Sequence, residues 1–311
     1  MIIKNYKTSL LVSALCLLIF SCKENSEPIE VTSDNFHTAI DKVVDVMIHD
    51  IFSPPVASRV FVYPNIAAYE ILALNDSSYH SLKNQIKHLE AIPSPNPAKK
   101  INYPLAAIIA HLNISKQLIF SEEKIEMYRD SLYNIWEAKN PREFNESKVY
   151  GLEVAAYITA WMNKDNYAQT RTMPKFSVDS EDESRWQPTP PSYMDGLEPH
   201  WNKIRSFVID SAAQFKPVPP PKFSMNKNSD FYKELKEVYD VSLEITKKGD
   251  ASEEIAIAQF WDCNPYVSVN RGHLMFAVKK ITPGAHWIGI TKIAAKKEAA
   301  DFNRTVFAYT K

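Results

Sequence analysis

The chain has 311 residues, of which 45% are hydrophobic and 23% charged, and its formal net charge is -1. A charge this close to zero argues against a nucleic-acid-binding protein, which needs a basic surface. Glycine is scarce, with 6 residues, and long alternating runs of apolar and polar residues are absent. The sequence therefore predicts an all-α protein.

Residues 1–22 have the pattern of a lipoprotein signal peptide. Lys4 and Lys7 precede an uncharged apolar run, Leu10 to Phe20, that is too short to span a membrane. The run ends at Ser21-Cys22, and a cysteine after a small residue is typical of the cleavage site of bacterial lipoproteins. We expect lipidation of Cys22 and a lipid-anchored, extracytoplasmic protein of the cell envelope. The alternative is a plain signal peptide that contains a cysteine.

The cysteine count bears on how the fold is held together. Cys16 leaves with the signal peptide and Cys22 carries the lipid, so that Cys263 alone remains of the three cysteines. No internal disulfide is then possible, and the fold must depend on the packing of its core.

Residues 23–33 are predicted to form a tether, and residues 34–311 one helical domain. Apolar residues at helical spacing predict helices over about Asp34 to Ile51, Val56 to Leu74, Lys99 to Phe120, Ser121 to Lys139 and Glu146 to Met162. Pro64 lies inside the second of these, which should either kink or divide in two.

Residues 163–228 are rich in proline and aromatic residues, which predicts an ordered but irregular segment lying on the helices, since disordered linkers lack aromatic residues. Helices resume over about Ser229 to Lys248, Asp250 to Trp261 and Pro283 to Ala295, followed by a last helical stretch from Lys296.

Side chains of the types that act in catalysis or ligand binding are concentrated in the loops between the last helices. These loops contain Trp261-Asp262-Cys263, Asn270-Arg271-Gly272-His273 and Pro283-Gly284-Ala285-His286-Trp287. Loops on a rigid helical frame often carry function. The alternative is that Trp261 and Trp287 belong to the core while the histidines bond to backbone at helix ends. The sequence has no zinc-binding spacing of cysteine or histidine, no glycine-rich phosphate loop and no Gly-x-Ser-x-Gly motif.

Four stretches, in order, resemble the secreted bacterial branch of the vanadium-dependent haloperoxidase and type 2 phosphatidic acid phosphatase superfamily. They are Ser53-Pro54-Pro55-Val56-Ala57-Ser58-Arg59 with Asn65 to Glu70; Trp186 to Pro191 with Trp201 and Arg205-Ser206-Phe207; Gln214 to Pro217 with Pro219-Pro220-Pro221; and Phe260-Trp261-Asp262 with Gly272-His273-Leu274 and Pro283 to Trp287. The resemblance covers residues from about 34 onward and implies an all-α bundle.

The resemblance also implies a cofactor and a chemistry for the intact family member. The family holds vanadate or phosphate among several cationic donors, and a histidine serves as axial ligand or nucleophile. Vanadate-dependent peroxide chemistry on a small molecule and phosphoryl transfer from a phosphate ester both remain open.

The motifs that supply this cradle in the family are absent from the sequence. They are a lysine followed six residues later by Arg-Pro, then Ser-Gly-His, then a serine-arginine pair with a histidine shortly after. We therefore expect the chain to be the N-terminal part of a longer protein, inactive alone, with no catalytic residue, metal or vanadate held by this chain. Arg271, His273 and His286 remain candidates for the rim of the site.

A second hypothesis is a complete helical lipoprotein whose aromatic-rich middle binds a glycan or peptide ligand. One structural feature separates the two hypotheses. A last helix that exposes apolar surface around Tyr309 would favour the longer protein.

Overall fold

The computed structural model describes residues 27–190, 193–261 and 281–311. Ten α-helices lie in these ranges: α1 (Ser33–Asp50), α2 (Pro54–Asn75), α3 (Tyr103–Ser115), α4 (Glu122–Lys139), α5 (Pro141–Met162), α6 (Tyr167–Thr170), α7 (Asp230–Lys248), α8 (Glu253–Trp261), α9 (Pro283–Lys297) and α10 (Phe302–Thr310). The described part of the chain contains no strand, which confirms the all-α prediction.

Local chemistry sets the boundary between α1 and α2. Ile51 adopts a left-handed conformation with φ of 56° and closes α1. Pro54 and Pro55 then occupy the first positions of α2, where a missing backbone N–H costs nothing. Of the two outcomes expected at Pro64, a kink or a division, the division does not occur, because Pro64 is buried inside a single helix of 22 residues.

The centre of the core is α3, in which every residue from Leu105 to Ser115 is buried. It packs against α2 on one side and α5 on another. A helix that is apolar on all sides is stable only when it is surrounded by protein, so α3 fixes the arrangement of the bundle. Helices α1, α4, α9 and α10 pack around this centre.

The last helix is part of this core. Phe302, Val306 and Tyr309 are buried, and α10 contacts both α1 and α2. Tyr309 Oη lies 2.7 Å from His37 Nδ1, in a buried pair that joins α10 to α1. Tyr309 is therefore not exposed, and the exposed apolar surface that would favour the longer protein is limited on this helix to Phe307, which is 38% exposed.

The segment before α1 also contacts the bundle. Ile29, which the sequence placed in the tether, is buried in the core. Its backbone N–H donates to Glu143 Oε2 at 3.0 Å, and its carbonyl accepts from Asn102 Nδ2 at 2.8 Å. Among the described residues, no helix is long and apolar enough to cross a membrane.

Candidate functional site

Residues 201–210 of the proline- and aromatic-rich segment lie on the bundle, and together with it they line an open cavity of about 890 Å³. We call it the Arg205 cavity. Its walls include Arg59 and Tyr63 of α2, Lys87, Asp165 just after α5, and most of residues 201–212, among them Arg205. Two of the stretches that carry the family resemblance, at Ser58-Arg59 and at Trp201 with Arg205-Ser206-Phe207, therefore meet at one place.

A buried ion pair forms one wall of the cavity. Arg59 Nε donates to Asp165 Oδ2 at 2.9 Å, and Tyr63 Oη donates to the same oxygen at 2.7 Å. The other oxygen of Asp165 accepts from the backbone N–H of Tyr167 at 2.8 Å. The Arg59 guanidinium also lies 4.2 Å from the centre of the Tyr167 ring, within cation–π range. Burial, followed by the hydrogen bond to Asp165, raises the pKa of the Tyr63 phenol.

Arg205 joins the irregular segment to the end of α5. Its backbone N–H donates to the Asp165 carbonyl at 2.8 Å, and its Nη1 donates to the Trp161 carbonyl at 3.1 Å. The guanidinium stacks on Trp161 at 4.2 Å from the ring centre. Nε and Nη2 of Arg205 are buried and have no hydrogen-bond partner within the described part of the chain.

Lys87 is held by the same segment. Its Nζ donates to Ser206 Oγ at 3.1 Å and to the Asp210 carbonyl at 2.9 Å. Its backbone N–H donates to the Phe207 carbonyl at 2.9 Å, and the Phe207 ring packs edge-on against Tyr63, 5.6 Å away. These contacts tie residues 205–210 to the bundle.

The cations of the Arg205 cavity do not fit the needs of an oxyanion such as vanadate. Such a group needs several donors that are free to neutralise its oxygens. Arg59 is paired with Asp165, Lys87 is bonded to the segment, and the two free nitrogens of Arg205 have almost no exposed surface. Within the described part of the chain, the cavity therefore acts as a structural joint between bundle and segment and offers vanadate no set of free donors.

The predicted rim residues lie elsewhere. Arg271 and His273, with Asp262 and Cys263, fall outside the described residues, as does Cys22. His286 lies in the first turn of α9 with an exposed side chain, and it does not line the Arg205 cavity. Trp261 and Trp287 are both exposed, so the alternative that they belong to the core is wrong. No group of His, Cys, Asp or Glu that could hold a metal ion occurs among the described residues.

Asp165 is the member of this site that the sequence did not reveal. It follows α5 in an ordinary polar turn, and its partner Arg59 lies 106 residues earlier in the chain. Arg59 and Arg205 could be found because they belong to recognisable stretches. An isolated aspartate carries no comparable signal.

Comparison with known proteins indicates the class of protein to which this chain belongs. A solved structure described as the first bacterial vanadium-dependent iodoperoxidase superposes on this chain with a TM-score of 0.86 and 64% sequence identity. The match covers 92% of this chain and 66% of that chain. No family model matches the sequence, and no curated protein matches it either.

An identity of 64% over nearly the whole chain, with the same helical arrangement, confirms the resemblance seen in the sequence. The chain belongs to the vanadium-dependent haloperoxidase superfamily. It spans slightly less than two thirds of the length of the iodoperoxidase that it matches.

Proposed function

We propose that this chain is the N-terminal part of a vanadium-dependent haloperoxidase whose intact form oxidises iodide with peroxide. The observation that carries the proposal is the 64% identity to the bacterial iodoperoxidase over 92% of this chain. Because that relative is a peroxidase, it favours vanadate-dependent peroxide chemistry over the phosphoryl transfer that the sequence left open.

We further propose that the chain alone is inactive. The sequence lacks the family's three motifs for the oxyanion, and the cations of the Arg205 cavity are already paired, bonded or buried. Vanadate would then be bound only when the remaining part of the protein supplies its donors.

The test is an activity assay on the purified chain. The chain is incubated with orthovanadate, hydrogen peroxide and iodide, and triiodide is followed by absorbance. Parallel assays replace iodide with bromide, or measure phosphate release from p-nitrophenyl phosphate. We expect rates equal to those without protein in all three assays. Turnover above that level in any of them contradicts the claim that the chain alone is inactive.

Lipid anchoring at Cys22 is a separate part of the proposal, supported by the signal-peptide pattern of residues 1–22. In a bacterial host fed radiolabelled palmitate, the chain should incorporate label and fractionate with membranes. Cys22→Ser should abolish labelling. Cys16→Ser, a change within the apolar run, should leave it unaffected, and equal labelling of both variants would contradict the proposal.

A further inference from the structure

The first described residues of the chain are fastened to one end of the bundle, where α3 and α5 begin. Asn140 Nδ2 donates to the Glu27 carbonyl at 3.2 Å. Ile29 is 3% exposed, and its backbone N–H and carbonyl bond to Glu143 and Asn102. This end of the bundle, which we call the anchor end, comprises residues 27–30, 99–102 and 139–146.

The position of the anchor end bears on the lipid proposed for Cys22. Four residues, Lys23 to Ser26, separate Cys22 from Glu27. A fully extended chain advances by at most about 3.6 Å per residue, so the distance from Cys22 to Glu27 cannot exceed about 18 Å. Helix α5 has 22 residues and is about 33 Å long. A lipid on Cys22 therefore keeps the anchor end closer to the membrane than α5 is long.

A carboxylate of α5 lies beneath the cations of the anchor end. The Glu146 side chain is 9% exposed, whereas that of Lys99 is 51% and that of Arg142 is 71% exposed. Glu146 accepts from Lys99 Nζ at 3.4 Å, from Arg142 Nε at 3.3 Å and from the Lys100 backbone N–H at 2.8 Å. These contacts place the three cationic residues on one continuous surface.

The exposed charges of the anchor end have a small positive excess. They belong to Lys99, Lys100, Arg142, Glu27 and Glu30. A surface of this kind attracts the phosphate groups of anionic lipids within a screening length of about 8 Å at physiological salt. The attraction can be weak and still set the orientation of the protein, because a lipid on the same chain makes the contact intramolecular.

We propose that the anchor end is the surface that lies against the membrane, with Lys99, Lys100 and Arg142 in contact with the phosphate groups of anionic lipids. The inference rests on the proposed lipid anchoring and is independent of the proposed peroxidase activity. The Arg205 cavity lies at the other end of α5, where Asp165 forms part of its wall. In this orientation the cavity points away from the membrane.

The test compares two matched positions on α5. Asn145 and Asn163 are both exposed, and their separation of 18 positions corresponds to about five helical turns, so they face the same side at heights about 27 Å apart. The full chain with Cys263→Ser, and with either Asn145→Cys or Asn163→Cys, is lipidated in a bacterial host and labelled with a donor fluorophore. It is then added to vesicles of phosphatidylcholine and phosphatidylglycerol that carry an acceptor on their headgroups.

Energy transfer to the acceptor measures how close each label lies to the membrane. We expect transfer from Asn145→Cys to exceed that from Asn163→Cys by at least about twofold, because the second label stands about 27 Å farther away. Sodium chloride at about 1 M, which shortens the screening length to about 3 Å, should lower this ratio. Vesicles of phosphatidylcholine alone should lower it as well.

Two triple variants identify the groups that set the orientation. One removes the cations of the anchor end by Lys99→Gln, Lys100→Gln and Arg142→Gln. The matched control removes three exposed cations elsewhere, by Lys203→Gln, Lys216→Gln and Lys222→Gln. The first variant should lower the transfer ratio as salt does, and the control should leave it unchanged. Both should melt at the temperature of the unmodified chain, since exposed ion pairs contribute little to stability.

Equal transfer from the two labels, or higher transfer from Asn163→Cys, overturns the proposal. A ratio that responds neither to salt nor to the first triple variant overturns the role of the three cations. A chain that incorporates no palmitate at Cys22 contradicts the proposed anchoring and this inference together. A lipidated chain with equal transfer contradicts this inference alone.

Discussion

Arg59 Nε lies 2.9 Å from Asp165 Oδ2, and the two side chains are 10% and 1% exposed. This pair connects the start of α2 to the turn after α5, and through Asp165 to the backbone of Arg205. A conspicuous Ser-Arg stretch near the start of the family resemblance thus has a role in holding the fold together.

Removal of Arg59 should be costly, because Asp165 would remain as an unpaired buried carboxylate. For Arg59→Met we expect a loss of about 3–5 kcal/mol in the free energy of unfolding, as measured by urea denaturation. The control is Lys236→Met, which breaks an exposed pair with Asp240 and should leave the denaturation midpoint unchanged. Equal midpoints for the two variants would show that the buried pair contributes nothing.

Gly151 of α5 permits close packing against α3. A Cβ at this position would lie 2.7 Å from the Ala106 carbonyl oxygen and 3.0 Å from Ile109 Cγ2. Gly151→Ala should therefore lower the free energy of unfolding by about 1–3 kcal/mol. Gly289→Ala, where a Cβ meets no atom within 4 Å, should be neutral or stabilising by up to about 1 kcal/mol. The opposite order of stabilities would refute this description of the α3–α5 contact.

His111 should make stability depend on pH. Burial lowers its pKa from 6.5 to about 3, and Nδ1 has no partner within the described residues. Between these values the unfolded chain binds a proton at His111 and the folded chain does not. The free energy of unfolding should therefore fall as pH drops below about 6.5, with a His111 contribution of about 2 kcal/mol at pH 5.

The measurement is urea denaturation at pH 7.5 and pH 5.0 for the unmodified chain and for His111→Phe, which removes this contribution. His80→Gln, a change at an exposed histidine, is the control. An unchanged pH dependence in His111→Phe would mean that His111 is not the group responsible.

Tyr309→Phe tests the attachment of α10. The change removes the 2.7 Å hydrogen bond to His37 and leaves that imidazole without this partner in a buried position. Burial lowers the pKa of His37, so the ring gains no compensating charge near pH 7. We expect a loss of about 1–3 kcal/mol in the free energy of unfolding. Tyr239→Phe, at an exposed tyrosine of α7, should have no effect on the free energy of unfolding. A similar loss in this control would mean that the loss in Tyr309→Phe does not come from the hydrogen bond to His37.

Local signals in the sequence were sufficient for most helices. Ser229 caps α7 by accepting from the Tyr232 N–H, and Gly249 ends it with φ of 56°, as predicted. Contacts between residues that are far apart in the chain could not be predicted from the sequence, because no local pattern links such partners. Arg59 and Asp165 are an example. The helical pattern of α9 gave its approximate bounds, but periodicity alone cannot show that Trp287 and Ile293 on one of its apolar sides are 68% and 70% exposed.

The four stretches that resemble the family led to the correct superfamily without revealing its chemistry. Two of them meet at Arg59 and Arg205, where the contacts are structural. The fourth ends at His286 and Trp287, on the exposed face of α9. Arg59 and Arg205 help to hold the fold together, whereas the groups that hold an oxyanion in the family are absent from this sequence.

The most direct test of the central claim is the rate of triiodide formation with vanadate and peroxide, measured on the chain alone and on its complex with a co-expressed polypeptide that comprises the part of the iodoperoxidase left unmatched by this chain. The account predicts no turnover by the chain alone, and turnover by the complex that disappears when vanadate is omitted. Turnover by the chain alone, or an inactive complex that is properly assembled, would contradict it.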